Sequence, residues 1–432
     1  MSAPSPPGVS SPLPFHLLPD TATVDDHGRL SIGGCDVADL AERHGTPLFV
    51  YDEAHIRARC REAVSVLGDG ATYASKAFLC RAVAQLVHEE GMRIDVATGG
   101  ELQVVLAAGV PAERTVLHGN NKSLDELRLA LTAGVGRIVV DSDDELDRIE
   151  SLVASGLPVP RVLLRINPGI EVHTHEHVRT GNLDSKFGFP LPTGQADDAL
   201  ARARASAAVD LVGLHMHIGS QVFSVENFLE GLRAVAPFVV AADLPELVVG
   251  GGLGVAYVEG EAAPTITEWA TAVVQECRAA GITAEIGVEP GRAVVGAAAV
   301  TLYTVGTVKF IPGVRTYVSV DGGMSDNPRP VLYGSGYETF LPRAATSRRE
   351  MPIRLVGKHC ESGDLLVREG RVPADLAVGD LIATPVTGAY GHSMGSNYNK
   401  VLRPAVVFVA DGVDRLVVRR ETVEDLLATD VG

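Results

Sequence analysis

Apolar positions follow two rhythms along this chain, and the change from one to the other divides it. From Thr72 to Ser75 they form a short continuous run, the pattern of a strand buried on both faces. From Ala77 onward Phe78, Leu79, Ala82, Val83, Leu86 and Val87 return at the spacing of one helical face. The pair of patterns then repeats. Further strands are expected at Arg93–Ala97, Thr115–His118, Arg137–Asp141, Arg161–Ile166, Leu211–Ile218, Glu246–Val249 and Glu285–Val288, with amphipathic stretches between them. Ser123 followed by Glu126 is a capping-box signal for one of the intervening helices. Strands alternating with helices imply a parallel sheet. Eight such units before Pro290 point to a (β/α)8 barrel; an open doubly wound sheet would not demand eight.

Past Ala297 the helical rhythm stops. Val300–Ile311, Thr316–Val320, Ile353–Gly357, Leu365–Val367, Leu381–Thr384, Ala405–Val409 and Arg415–Arg419 read as strands separated by turns. This is the pattern of a C-terminal all-β domain, Greek-key or sandwich-like, with only Val423–Leu427 helical. Ahead of the barrel, Arg29–Ile32 and Pro47–Tyr51 read as strands around a helix at Val37–His44, and Met1–Pro14 as a Ser/Pro-rich disordered tail. The expected organisation is a tail over 1–14, a segment over 15–46 packing with the β domain, a barrel over 47–297 and the β domain over 298–432.

Composition narrows the function. With 432 residues, 46% of them hydrophobic, the chain is long enough for two cores. A net charge of −17 argues against nucleic acid or an anionic membrane surface as partner. No uncharged apolar run reaches membrane-spanning length, and no basic stretch followed by an apolar core marks a signal peptide. Five scattered cysteines without a CxxC pair fit reduced thiols, so a cytoplasmic protein is expected.

Polar residues gather where the barrel strands end, the face that carries chemistry in this architecture. Lys76 follows the first strand, Asp95 and Thr98 the second, His118 and Asn120 the third, and Asp141 the fourth. Arg165 and Asn167 follow the fifth, His217 and Ser220 the sixth, Gly250, Gly251 and Gly252 the seventh, and Glu289-Pro290-Gly291-Arg292 the eighth. A purely structural barrel needs no such collection on one face. An isolated lysine is usually a surface group, but Lys76 ends an apolar strand, and a lysine held near protein walls readily forms a Schiff base. Three successive glycines let backbone N–H groups turn around an anion, although the same run is often only a tight turn. Ser220 and Arg292 are further phosphate donors at neighbouring strand ends. A phosphate site opposite such a lysine points to pyridoxal 5′-phosphate. Glu289 would then sit at the ring nitrogen and keep it protonated. His217 is either the flat partner of the ring or a hydrogen-bonded core histidine; spacing alone does not separate these.

These segments resemble the fold-type III pyridoxal-phosphate-dependent decarboxylases, and among them those that act on diaminopimelate. The resemblance rests on YASKAF at Lys76, DVATGGEL from Asp95, HGNNKS from His118, EVHTHEHVRTGNLDSKFGF from Glu171 and GLHMHIGSQ from Gly213. It continues with VVGGGLG from Val248, VEPGR ending at Arg292, VSVDGGMSDNPRP from Val318, LVGKHCESGD from Leu355 and TGAYGHSMGSNYN from Thr387. It covers nearly everything after the first tail, and departs in small ways at Pro328, Gly391 and Gly395. It implies a homodimer of barrel and β domains with active sites shared between subunits. It implies Lys76 as the lysine that carries the cofactor, His217 as the ring-stacking residue and Glu289 as the partner of the pyridine nitrogen. Ser220, the Gly250–Gly252 loop and Gly291 would hold the phosphate, with Arg292 near both phosphate and substrate. Arg329, Tyr333, Glu361 and Tyr390 would bind substrate, Tyr390 also touching the cofactor. Cys360 would be the proton donor contributed by the partner subunit.

The expected activity is decarboxylation of meso-2,6-diaminopimelate to L-lysine and carbon dioxide. Glu361 suits a distal ammonium and Arg329 offers a planar fork for a carboxylate, so a substrate with both groups at both ends would use all of them. The alternative is a decarboxylase for another amino acid, such as lysine or ornithine, which would leave the arginine without its carboxylate. A racemase is disfavoured because Glu289 sustains a strong electron sink, and a silent binding relative because Lys76, Cys360 and Glu289 are all retained. For reprotonation Cys360 is a candidate acid, with Lys76 as competitor. The alternating His173, His175 and His177 lack a companion ligand cluster in the sequence, so no metal is expected.

Overall fold

The computed structural model describes residues 11–169 and 183–432, so the alternating histidines at 173, 175 and 177 lie outside the described residues. It divides into two units. One comprises residues 57–255 and 262–294; the other comprises residues up to 56, 256–261 and 295–432.

In the first unit the eight apolar runs are eight parallel strands: Thr72–Ala74, Arg93–Val96, Thr115–Leu117, Arg137–Val140, Arg161–Asn167, Asp210–His215, Glu246–Val248 and Glu285–Gly287. Each pairs with the next in chain order. Thr72 N donates to Val288 O at 3.0 Å and Val288 N to Gly70 O at 3.0 Å, which joins the last strand to the first and closes the barrel. Closure requires glycine at 70, where a Cβ would lie 2.2 Å from Ile286 O. Val116, Val139, Leu163 and Val212 from successive strands pack together as one cluster, with Val248 against it. Branched side chains filling the space between strands are what make such a barrel a packed core rather than a pore.

Most strands stop one to three residues before the apolar pattern does. His118, Asp141 and His217 therefore fall in the loops beyond the strands, where their polar side chains do not compete with the ladder. The helices begin where side chains satisfy their first N–H groups. Ser123 and Glu126 form the expected capping box ahead of Leu124–Ala133, and Thr265 with Glu268 forms another ahead of Ile266–Ala279.

At the opposite, N-terminal end of the strands, Arg137 forms a two-point ion pair with Glu246, Nε to Oε2 at 2.8 Å and Nη2 to Oε1 at 2.5 Å. Arg137 is buried and Glu246 is nearly so, and Arg161 adds a contact to Glu246 at 3.3 Å. Removing one partner of a buried pair leaves the other charge without compensation. Glu246→Gln is therefore expected to lower unfolding stability by roughly 3 kcal/mol. Turnover should be spared, because the pair lies at the end of the barrel away from Lys76. Urea denaturation alongside kcat/KM checks this; unchanged stability would remove the pair from the barrel's support.

The second unit is built on a mixed sheet. Its strand order is Leu365–Val372, Met351–Val356, Arg315–Val320, Ala299–Ile311, Leu48–Asp52, Ala405–Ala410 and Val413–Val418, with Leu381–Pro385 also paired to Ala299–Ile311. The 13-residue strand Ala299–Ile311 spans two ladders: its first half pairs with Leu48–Asp52 and Leu381–Pro385, its second with Arg315–Val320. Two pairings are parallel, Arg315–Val320 with Met351–Val356 and Leu48–Asp52 with Ala405–Ala410. The unit also holds a short helix, Arg329–Tyr333, that periodicity did not indicate.

The unit boundaries differ from the expected barrel over 47–297, since residues 47–56, 256–261 and 295–297 fall in the second unit. The strand at residues 48–52 reads from the sequence as the head of the barrel, but it is a central strand of this second sheet. A fully buried five-residue strand followed by the helix Glu53–Leu67 looks locally like any barrel unit. Only its pairing partners, some 250 and 350 residues downstream, tell the two apart. Ahead of it, Asp36 caps the helix Val37–His44 through its side chain, and Gly412 N donates to Gly33 O at 2.7 Å within the same unit.

Candidate active site

Lys76 sits in a single 3-10 turn, Ser75–Ala77, directly after the first barrel strand. Its side chain is half exposed, with Nζ 3.8 Å from Asp95 Oδ2 at the end of the second strand. Asp95 is itself buried and accepts Ser75 N at 3.2 Å, so the second strand positions the turn that carries the lysine. The eighth strand end approaches the same turn, with Ala74 N donating to Pro290 O at 3.2 Å. Gly291 fits there because a Cβ would lie 2.8 Å from both Cβ and O of Ala74.

The glycine run threads between the sixth and eighth strand ends. Gly250 and Gly252 have φ of +73° and +113°, and a Cβ on Gly251 or Gly252 would come within 2.1 Å of Glu289 O or Gly219 O. Only glycine allows this approach. Gly250 O accepts Glu289 N at 2.8 Å, and His217 Nδ1 accepts Gly251 N at 3.3 Å. Burial holds His217 well below the usual histidine range, so its imidazole is neutral. Arg292 is buried at the start of Arg292–Val295 and donates from Nη2 to Ser220 Oγ at 3.0 Å, bringing together the two phosphate donors read from the sequence.

Glu289 is 5% exposed and lies between two histidines. His118 Nε2 is 2.9 Å from Oε1, and His215 Nε2 is hydrogen-bonded to Oε2 at 3.0 Å. Burial alone would raise this carboxyl, but the His118 and His215 imidazoles outweigh it and hold Glu289 well below the usual carboxylate range. His215 was not singled out from the sequence. The signal was present, since it stands two residues before His217 in the expected strand Leu211–Ile218, where period-2 alternation puts both on one face.

Other strand-end polar groups serve the barrel itself. Thr98 caps the helix Gly99–Ala107, and Asn167 Oδ1 accepts Gly169 N at 3.0 Å in a turn. Asp141 takes Gly188 N at 2.6 Å and lies 3.8 Å from Arg165, whose guanidinium stacks 4.3 Å from the Phe187 ring.

The remaining candidates lie in the second unit. Cys360 is exposed, and its loop is braced from several sides. Asn399 Oδ1 accepts Cys360 N at 3.2 Å and lies 3.2 Å from His359 Nδ1. His359 Nε2 is 2.8 Å from Ser325 Oγ, and Asp364 accepts both His359 N and Met324 N. Glu361 is exposed and accepts Gly363 N at 3.1 Å. Arg329 is buried, donating to Tyr337 OH at 2.5 Å and lying 4.2 Å from the Tyr257 ring centre. Tyr333 is exposed on the same short helix, and Tyr390 holds an uncommon φ of +59°.

An amine, a glycine-lined approach with serine and arginine donors, a neutral imidazole and a buried carboxylate thus share the C-terminal end of one barrel. That donor set fits pyridoxal phosphate: a covalent anchor, phosphate donors, an aromatic face and a partner for the ring nitrogen.

Residues 53–296 match the family model for the pyridoxal-dependent decarboxylase pyridoxal-binding domain. The diaminopimelate decarboxylase of Mycobacterium tuberculosis is 47% identical, over 96% of this chain and 99% of its own length. That of Bacillus subtilis is 44% identical, over 96% of this chain and 98% of its own. Among solved structures, the M. jannaschii diaminopimelate decarboxylase in complex with L-lysine superposes with a TM-score of 0.89 at 32% identity, covering 96% of this chain and 98% of that one. The chain belongs to the pyridoxal-dependent decarboxylases and, within them, to the diaminopimelate decarboxylase family.

Proposed function

We propose that this chain is a pyridoxal-phosphate-dependent carboxy-lyase that converts meso-2,6-diaminopimelate to L-lysine and carbon dioxide in lysine biosynthesis, working in the cytoplasm as a homodimer. The observation that carries the reading is the meeting of Lys76 and Glu289 at neighbouring strand ends of one barrel, joined through the Ala74–Pro290 hydrogen bond.

When bound, pyridoxal phosphate supplies the electron sink into which electrons pass as the α-carboxylate leaves. Lys76 is the residue that holds it covalently. Gly250, Gly251, Gly252, Gly291, Ser220 and Arg292 take its phosphate, and the neutral His217 is the aromatic partner of its ring. Glu289 faces the ring nitrogen. Tyr390 lies against cofactor and substrate, and Tyr333 and Arg292 add substrate contacts. Tyr337 and the Tyr257 ring hold the Arg329 guanidinium in one orientation, as a fork for a carboxylate requires. Glu361 pairs with the distal ammonium. Cys360 delivers the proton that replaces the carboxylate on the α-carbon, its loop fixed by Asn399 and Asp364.

Product analysis after separate incubation with each stereoisomer of diaminopimelate, and with lysine and ornithine, tests the assignment. The meso isomer should give lysine and carbon dioxide in equal amounts, at a kcat/KM at least about a hundredfold above the monocarboxylic amino acids, which leave a buried guanidinium without its partner. Comparable carbon dioxide release from lysine or ornithine would overturn the substrate.

A further inference from the structure

Glu289 is unusual among the site residues because both of its oxygens are already engaged from opposite strand ends. His118 follows the third strand and lies with Nε2 2.9 Å from Oε1, an ion-pair contact without hydrogen-bond alignment; His215 ends the sixth and is hydrogen-bonded to Oε2 at 3.0 Å. The two imidazoles also pack edge to face, 4.9 Å between centroids and 73° between planes, so each limits the other's rotation. His215 Nδ1 is buried and makes no hydrogen bond among the described residues, as expected for an unprotonated ring nitrogen. Burial pushes this histidine down to about 4. It is therefore neutral, and Nε2 carries the proton it donates to the carboxylate.

We infer that His118 and His215 are positioning residues that act through Glu289, holding its carboxylate as a fixed, ionised acceptor so that the proton it shares with the cofactor ring stays on the ring nitrogen. The inference rests on Glu289 being the partner of that nitrogen. A carboxylate has about four acceptor sites, so one imidazole hydrogen bond and one imidazole at contact distance leave room for a further donor. In a buried site the shared proton can sit on the nitrogen, giving an ion pair, or on the carboxyl, giving two neutral groups. Burial favours the neutral pair. The hydrogen bond from His215 and the His118 imidazole against Oε1 favour the anion, and so they move the proton to the ring, where it strengthens the electron sink. Without them Glu289 would occupy the same place yet hold the proton itself.

The test uses apo-protein reloaded with pyridoxal phosphate carrying 15N in its ring, read by the 15N chemical shift, the cofactor Kd and steady-state kinetics. In the wild-type protein the shift should be that of a protonated ring. His118→Leu removes the imidazole against Oε1, and His215→Leu removes the hydrogen bond to Oε2. They should move the shift toward the unprotonated position and lower kcat by roughly tenfold to a hundredfold, with KM and cofactor Kd changed far less. His118→Gln and His215→Gln keep an N–H near the same point and should restore both shift and kcat. Should a leucine variant fail to fold, the asparagine variant at that position takes its place, since its shorter amide does not reach the carboxylate.

Glu289→Gln separates the two levels of the argument. If it leaves the wild-type shift, the ring-nitrogen assignment fails and the inference with it. If it shifts the nitrogen while the histidine variants that remove these contacts keep the wild-type shift and kcat, the assignment stands and the inference is overturned. The three ligand atoms lie within 4.8 Å of one another, so metal binding is a further way to overturn it. Activity lost to a chelator and regained with zinc alone would make the cluster a metal site instead.

Discussion

Lys76→Ala should abolish decarboxylation, with kcat/KM falling by roughly a thousandfold or more, because covalent catalysis through an amine has no substitute when the amine is gone. The expectation follows from the surroundings of the other lysines. In the barrel unit the described residues include two more, Lys122 and Lys186. Lys122 also lies at the strand ends, but its ammonium is already committed. It pairs with Glu145 Oε1 at 2.7 Å and donates to Gly119 O at 2.7 Å and Val139 O at 2.6 Å. Two of its donors are spent on backbone carbonyls and its charge is paired with Glu145 in a buried setting, so Lys122 is part of the scaffold. Lys186 rests 5.0 Å from the Phe187 ring centre, on a segment after the fifth strand. Lys76 alone among them combines a half-exposed amine with a place on a turn tied to the eighth strand end, next to Glu289 in the chain, through Ala74 N and Pro290 O. Borohydride reduction followed by peptide mapping should find the cofactor on the peptide containing Lys76. A cofactor label on another lysine, or turnover preserved in Lys76→Ala, would displace the proposed site.

Mixing two dead homodimers should regenerate activity. Cys360→Ala is expected to be severely impaired like Lys76→Ala, because the α-carbon then lacks its proposed proton donor. Under the proposed shared-site arrangement, a heterodimer of the two variants has one site carrying both lesions and one carrying neither. The intact site joins Lys76 of one chain to Cys360 of the other. With equal mixing half the dimers are mixed and each has one working site of two, so the ceiling is about one quarter of wild-type activity. Exchange is confirmed by mass spectrometry of differently tagged chains. Activity near that ceiling supports sites built from two chains. Full exchange with no recovery would mean that Lys76 and Cys360 serve the same chain, and the shared site would be abandoned. The braced loop around Cys360 keeps the experiment interpretable, since Asn399 and Asp364 contact backbone N–H groups that the alanine substitution leaves in place.

The chain's periodicities made the barrel legible. Runs such as Arg137–Val140 are buried throughout, and no short solvent-facing strand would carry that pattern. Helix starts were equally local: a serine followed three residues later by a glutamate satisfies orphan N–H groups wherever it occurs, and Ser123 does so here. Candidate chemistry was readable for the same reason. A strand end in this architecture faces one mouth of the barrel, so naming the residues just past each strand named the occupants of that mouth.

Other features were settled by partners far away in the chain. The strand Leu48–Asp52 has the composition of a barrel strand, and only hydrogen bonds to Ala299–Leu302 and Ala405–Val409 assign it to the second sheet. The parallel pairings of that sheet, and the division of one long strand between two ladders, carry no local signature, because a strand's own sequence sets which faces are buried and not who its neighbours are. The roles of the polar residues divided in the same way. Residue type and spacing determined that Lys76, Glu289 and the glycine run would stand at one end of a barrel. The tertiary structure decided that Lys122 is spent on a buried ion pair, that Thr98 caps a helix and Asn167 makes a turn, and that Glu289 lies between His118 and His215. The reason is physical: a backbone pattern places a side chain on a face, whereas its charge state and its reach depend on groups that only closure of the barrel brings within hydrogen-bonding distance.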